Sequence, residues 1–240
     1  MQFTSEQRLD DGVLEREFIL GEIPGVLWTS GSSPAPLILS GHNGGLHKRN
    51  PRLVARARHH AAEYGFAVAA IDAPGHGDRP RSAVDEQARA DLRRAMESGE
   101  PVEEIVDAFI VPLVERAVPE WRATLDALLS LPEIGGPVGY AGMTAIGIRL
   151  GVVEPRISAA VFFAGGFVPD VLRGEARQVT IPLQFLLQWD DEGMERQPAL
   201  DLFDAFGARD KTLHANLGGH AGVPWFEVDD GARFFARHLR

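Results

Sequence analysis

Apolar residues along this chain fall into two alternating rhythms, short buried runs and longer stretches of helical spacing, and together they predict strands alternating with helices. Leu14 to Leu20 and Gly25 to Thr29 read as extended segments separated by Gly21 and Pro24, and Pro36 to Ser40 is a short apolar run of the buried-strand type. Pro51 to Tyr64 then carries Leu53, Val54, Ala57 and Ala61 at helical spacing, with a proline near its start and Gly65 at its end. Further strands are predicted over Phe66 to Ile71, Val138 to Ala141, Ile157 to Phe163, Pro182 to Gln188 and Lys211 to Ala215. A helix is predicted from about Ala145 and another over Phe226 to Leu239. Such alternation implies a mostly parallel sheet with helices on both faces, an α/β fold.

Between Arg79 and Pro132 no strand is predicted. Ala83 to Ser98 is a charged amphipathic helix, and Val102 to Val118 is more apolar, with Ile105, Val106, Phe109, Ile110, Leu113 and Val114. Trp121 to Leu131 reads as the helix preceding the next strand, which leaves the two earlier helices as an insertion over about 80–120. That insertion is either extra packing or a lid over a ligand site. The whole chain, 1–240, is expected to form one domain.

Composition narrows the chemistry. With 240 residues and 45% apolar side chains the chain can bury one large core. Zero cysteines exclude disulfides, a thiol nucleophile and thiolate-bound zinc, and the eight histidines show no metal-ligand spacing, so neither a metal nor a cofactor is expected. A net charge of −10 argues against a phosphate-backbone partner. No apolar run approaches the ~20 residues a bilayer span requires, and MQFTSEQRLDDG lacks the layout of a signal peptide. The expectation is a cytoplasmic protein whose partner is a small-molecule substrate, with neither nucleic acid nor membrane; a homodimer is left open.

Five short motifs remain: GHNGG at Gly41 to Gly45, DAPGHGDR at Asp72 to Arg79, GMTAIG at Gly142 to Gly147, QWDDE at Gln188 to Glu192, and GGH at Gly218 to His220. An apolar strand that enters a glycine-flanked turn and then a helix is the setting that presents one hydroxyl above a parallel sheet. A histidine can take that hydroxyl's proton, and a carboxylate can fix the histidine's tautomer. In order and spacing these motifs resemble the α/β-hydrolase superfamily, more narrowly its dienelactone-hydrolase-like and small esterase members, over about Val13 to Arg240.

The resemblance implies a catalytic set of Thr144, then Asp191 or Asp190, then His220. It favours Asp191, because Met194 supplies the apolar residue three positions after the acid. It also implies an oxyanion hole from the amides of Asn43 and of Ala145, the residue after Thr144. His42, Met143 and Phe167 would face substrate, His42 and His47 would support the glycine-rich loop, and Asp72 and His76 would organise the backbone beside it. Phe162, Phe163 and Phe167 would form a cleft wall suited to an apolar acyl or aromatic group.

Two residues depart from the superfamily's G-x-S-x-G turn: Thr144 stands in place of serine, and Ile146 in place of the last glycine, which is delayed to Gly147. A β-branched threonine is stiff, and the turn is expected to hold it outward on a strained backbone. Ile146 is expected where the helix packs closely on a neighbouring strand. Anchoring the turn on Gly147 and Gly151 instead puts Ala145 in the nucleophile position and removes covalent chemistry. The leading expectation is a hydrolase of a small carboxylic ester, lactone or thioester through a Thr-His-Asp triad. The alternatives are a lyase, cyclase or isomerase using the His-Asp pair, or a catalytically inactive ligand-binding member.

Overall fold

In the computed structural model, which describes residues 1–31, 34–164 and 166–240, the described strands form one nine-stranded sheet in the order β1-β2-β3-β5-β4-β6-β7-β8-β9. These are β1 (Gln2–Arg8), β2 (Leu14–Leu20), β3 (Ile23–Thr29), β4 (Ala35–Ser40), β5 (Ala67–Ile71), β6 (Ile134–Gly142), β7 (Ile157–Phe163), β8 (Leu183–Gln188) and β9 (Lys211–Asn216). β1, β2, β3 and β5 pair antiparallel, and from β5 through β4, β6, β7 and β8 to β9 the pairing is parallel. The helices are α1 (Pro51–Tyr64), α2 (Ala83–Ser98), α3 (Glu103–Leu129), α4 (Thr144–Val153), α5 (Asp170–Ala176), α6 (Arg196–Ala205) and α7 (Phe226–His238). Two apolar layers result: one holds Leu37, Leu39, Tyr140 and Phe162 with α3 and α4, and the other holds Ile38, Val68 and Trp28 with α1 and α7.

Central strands came out as the apolar runs predict, since β5 is buried at every residue. β1 was not predicted. Its QFTSEQR sequence lies at the sheet edge with almost every residue exposed, so no buried face leaves an alternation to read. The region before β6 also differs from expectation. Val102 to Val118 and Trp121 to Leu131 are not two helices, because α3 runs unbroken for 27 residues through Pro112 and Pro119. Each interior proline costs about 3 kcal/mol. Against that, α3 buries a continuous stripe that includes Phe109, Leu113, Val114, Val118, Trp121, Leu125 and Leu128, and each large apolar side chain contributes about 1.5–3 kcal/mol. Burial wins, and what lies outside the regular alternation is α2 with the front turns of α3. Asp85 joins the two: it closes a capping box with Ser82 at the start of α2, and it pairs with Arg116 of α3 at 2.9 Å.

No described helix is long and apolar enough to cross a membrane.

Buried histidines make the fold sensitive to acid. Burial pushes the His60 imidazole down to about 3 and that of His76 to about 4, and it lowers His42 as well. The unfolded chain therefore binds more protons than the folded one between those values and the ordinary pKa of about 6.5. Stability should be full above that window and fall as pH drops through it, by up to ~1.4 kcal/mol per pH unit for each histidine. Urea unfolding from about pH 7 to about pH 4.5 measures this, and His60→Leu should flatten the slope. An identical slope in that variant refutes the assignment.

Candidate active site

The turn after β6 is built by close backbone approach. Gly142 ends the strand and Met143 leads into α4 with φ −56° and ψ 118°. A Cβ on Gly142 would lie 2.7 Å from Gly41 Cα and 2.9 Å from Tyr140 Oη. Gly41 in turn donates its amide to Ala141 O at 2.7 Å, which presses the GHNGG loop against the turn. From below, the buried Tyr140 hydroxyl donates to Met143 O at 3.1 Å, and burial raises that phenol far above its ordinary pKa.

Thr144 is the first residue of α4, so it sits at the junction of strand and helix, while Ala145 lies one step inside the helix. The threonine is only 5% exposed, and its hydroxyl donates to Phe163 O at 2.8 Å. The strained backbone expected at this turn is absent, since no described non-glycine residue has positive φ. The position of closest helix packing also differs from expectation. It is Gly147, where a Cβ would meet Phe162 Cε1 at 2.3 Å and Tyr140 Cε1 at 2.6 Å, whereas Ile146 fits into the core.

At the ends of β8 and β9 the QWDDE and GGH motifs meet residue by residue. His220 Nδ1 lies 2.8 Å from Asp191 Oδ2; that carboxylate is 6% exposed and the imidazole 44%. Asp190 accepts the amides of Gly218, at 2.9 Å, and Gly219, at 3.0 Å. Glu192 accepts the amide of His220 at 2.9 Å. These backbone bonds hold both the Asp190 and the Glu192 carboxyls below their ordinary pKa. Gly219 is required here: it has φ +69°, and a Cβ would lie 2.7 Å from Glu192 Oε2. The choice between Asp190 and Asp191 is thus a division of labour, one bracing the loop and the other touching the ring. The work of Asp190 and Glu192 on that backbone was not legible, because side-chain-to-amide bonds across separate loops leave no spacing signal.

Phe163 links the two halves, accepting the Thr144 proton through its carbonyl and standing edge-on to the His220 ring with centroids 5.8 Å apart. Asn43 is exposed in the glycine-rich loop. Ala145 is buried, and its amide belongs to the first turn of α4, where a helix offers no internal acceptor. His42, expected at substrate, is 4% exposed with both nitrogens engaged: Nδ1 lies 2.9 Å from Asn43 O, and Nε2 accepts the Ala73 amide at 3.0 Å. It holds the loop instead. Met143 packs against the core, and Phe167 lines the cavity described next.

A cavity of about 660 Å³ opens beside Thr144, with Phe163, Phe167, Val168, Met194 and Leu202 in its walls. The end of α2 and the start of α3 close it on one side through Met96, Val102 and Val106, so the residues outside the regular alternation face this space. Away from the site, His214, Glu227 and Asp230 bring donor atoms within 4.8 Å of one another, a spacing that could hold a metal ion. There Glu227 already accepts hydrogen bonds from His214 and Asn216, each at 2.8 Å.

A mostly parallel sheet whose strand ends carry a hydroxyl, a carboxylate and an imidazole in that chain order defines a hydrolase-type α/β protein. The chain belongs to the α/β-hydrolase superfamily. Among solved structures it is similar to a cold-adapted esterase from an Arctic intertidal metagenomic library, in its PEG-bound complex, with 30% identity, both chains covered over 100% of their length and a TM-score of 0.79. Two more distant likenesses bear on the fold alone. An acetyl xylan esterase from Paenibacillus sp. R4 has 13% identity and a TM-score of 0.73, over 99% of this chain and 88% of that one. The Pyrococcus furiosus esterase Pf2001 has 12% identity and a TM-score of 0.67, over 100% and 93%. No protein-family model and no curated protein sequence matches the chain.

Proposed function

We propose that this protein hydrolyses a small carboxylic ester, lactone or thioester, with Thr144 attacking, His220 as base and Asp191 orienting the imidazole. The observation that carries the reading is the His220 to Asp191 contact of 2.8 Å on the rim that also holds Thr144, with Phe163 touching both. The esterase relative supports the reaction class. With Asp191 accepting from Nδ1–H, the lone pair of Nε2 is free to take a proton.

Turnover begins when the Thr144 hydroxyl rotates away from Phe163 O towards the imidazole. Its proton passes to His220 Nε2 as the oxygen bonds to the ester carbonyl carbon. The resulting oxyanion is met by the amides of Asn43 and Ala145. Collapse breaks the bond to the leaving alcohol or thiol, which takes the proton from His220. Water, deprotonated by the same imidazole, then attacks the threonine ester, and His220 returns that proton to the Thr144 oxygen as the acid leaves.

A second reading is favoured by the burial of Thr144 and its bond to Phe163. In it the His220 and Asp191 pair activates water or moves a substrate proton directly, as a lyase, cyclase or isomerase also would, and Thr144 only orients the ligand. Substitution separates the two. In the triad reading Thr144→Ser relieves crowding and keeps kcat/KM within about tenfold of the parent or raises it. Thr144→Ala then loses both turnover and the mass adduct formed with an alkyl phosphonate. Persistent turnover in Thr144→Ala, or no adduct on the parent protein, selects the second reading.

A further inference from the structure

The cavity beside Thr144 has an apolar interior but a strongly acidic border. Glu100, Glu103 and Asp107 come from the α2 to α3 side, Asp170 from the start of α5, and Glu192 and Glu195 from the loop after β8. All six are exposed where they meet the opening. Arg173 is the only basic residue among the described lining residues. Its Nε already donates to Val168 O at 3.0 Å and lies 3.7 Å from Asp170, so its charge is partly spent within the wall. Three helices begin at this opening, and each N-terminus carries about half a positive charge. Together with Arg173 they offset less than half of six carboxylates. The mouth therefore has a net negative field, in a chain whose overall charge of −10 reinforces it.

Size and polarity add to this. A space of about 660 Å³ lies within the range that takes a drug-sized ligand, on the order of 300–1,000 Å³. Phe163, Phe167 and Leu202 offer it no hydrogen bonds, so the interior suits a bulky branched or aromatic group. A carboxylate-bearing ester would face repulsion at the rim and find, among the described lining residues, no cation but Arg173. A quaternary or primary ammonium would meet attraction at the rim.

We infer that the cavity selects esters carrying a cationic group next to a bulky apolar one, over shape-matched anionic esters, with the acidic rim as the discriminating element. This inference rests on the hydrolase reading for its chemistry and on the cavity alone for its recognition.

Two measurements test it separately. The first compares thioesters of matched shape: acetylthiocholine, its uncharged 3,3-dimethylbutyl analogue and a carboxylate-bearing analogue, followed by thiol release, to which a chain without cysteine adds no background. At low ionic strength kcat/KM should favour the cation over the anion by about tenfold or more, and added salt should shrink that ratio. Glu103→Gln combined with Asp107→Asn should lower it too. The second measurement is calorimetric binding of benzyltrimethylammonium against phenylacetate, which needs no turnover.

Tighter binding of the ammonium ion, weakened by the double substitution, supports the inference even if no thioester is cleaved; that combination rejects the hydrolase reading alone. Phenylacetate binding as tightly as the ammonium, or anionic thioester cleaved as fast as cationic, overturns it. So does a cation preference that the double substitution leaves unchanged.

Discussion

His220→Ala should lower kcat/KM for a generic acyl ester by about a thousandfold or more while leaving the fold intact. Both halves follow from placement. The imidazole is 44% exposed and packs edge-on against Phe163, so its loss removes little apolar burial; what it costs is the partner of the 6% exposed Asp191 carboxylate, and urea unfolding should stay within about 1–3 kcal/mol of the parent. Its loss also removes the only histidine that the Asp191 carboxylate holds on the rim with Thr144. Asp191→Asn is the companion measurement. An amide can donate to Nδ1 and so move the imidazole proton to Nε2, the wrong tautomer for a base, and activity should fall by about a hundredfold or more. Ester turnover by His220→Ala at the parental rate would remove His220 from the chemistry altogether.

Asp72→Ala should produce the largest loss of stability, about 3 kcal/mol. Asp72 is fully buried and accepts Lys48 Nζ at 2.7 Å, the Lys48 amide at 2.8 Å and the Asp78 amide at 3.3 Å. Burial pulls the Lys48 ammonium down, yet its bonds to Asp72 and Asp78 hold it above its ordinary pKa. Removing Asp72 leaves that ammonium, 7% exposed, with only the solvent-facing Asp78, and it leaves a buried amide without an acceptor. Gly77 has φ +56°, and a Cβ there would lie 2.3 Å from the Asp72 carboxylate, so the loop is moulded to that acid. A loss below about 1 kcal/mol in urea unfolding would show that the pair adds no net stability.

The sequence carried the interior of this fold well and its periphery poorly, for one physical reason. Runs such as Ala67 to Ile71 and Ile157 to Phe163 are apolar because the sheet core excludes water from them, and that exclusion is written in residue type. β1 excludes water from almost nothing and leaves no such mark. α3 was divided at Pro119, a strong local punctuation mark, whereas the stripe that overrides it is a tertiary fact. At the site, the meeting of the QWDDE and GGH motifs through Asp191 and His220 was legible, and so were the backbone contacts of Asp72 and His76. The bond of Thr144 to Phe163 was not, because a backbone carbonyl accepts from any neighbouring hydroxyl whatever side chain it bears. Nor was the commitment of both His42 nitrogens, which depends on how the loops after β4 and β5 meet.

β9 is the outermost strand on its side of the sheet, joined to the rest through β8, and it delivers the loop that ends in His220. Asp190, Asp191 and Glu192 splint that loop from the end of β8. The imidazole is thus moored to the border of the molecule while the threonine is anchored at its centre, between β6 and β7. Fraying at that border would part the two groups and silence the chemistry in a molecule that still keeps its shape.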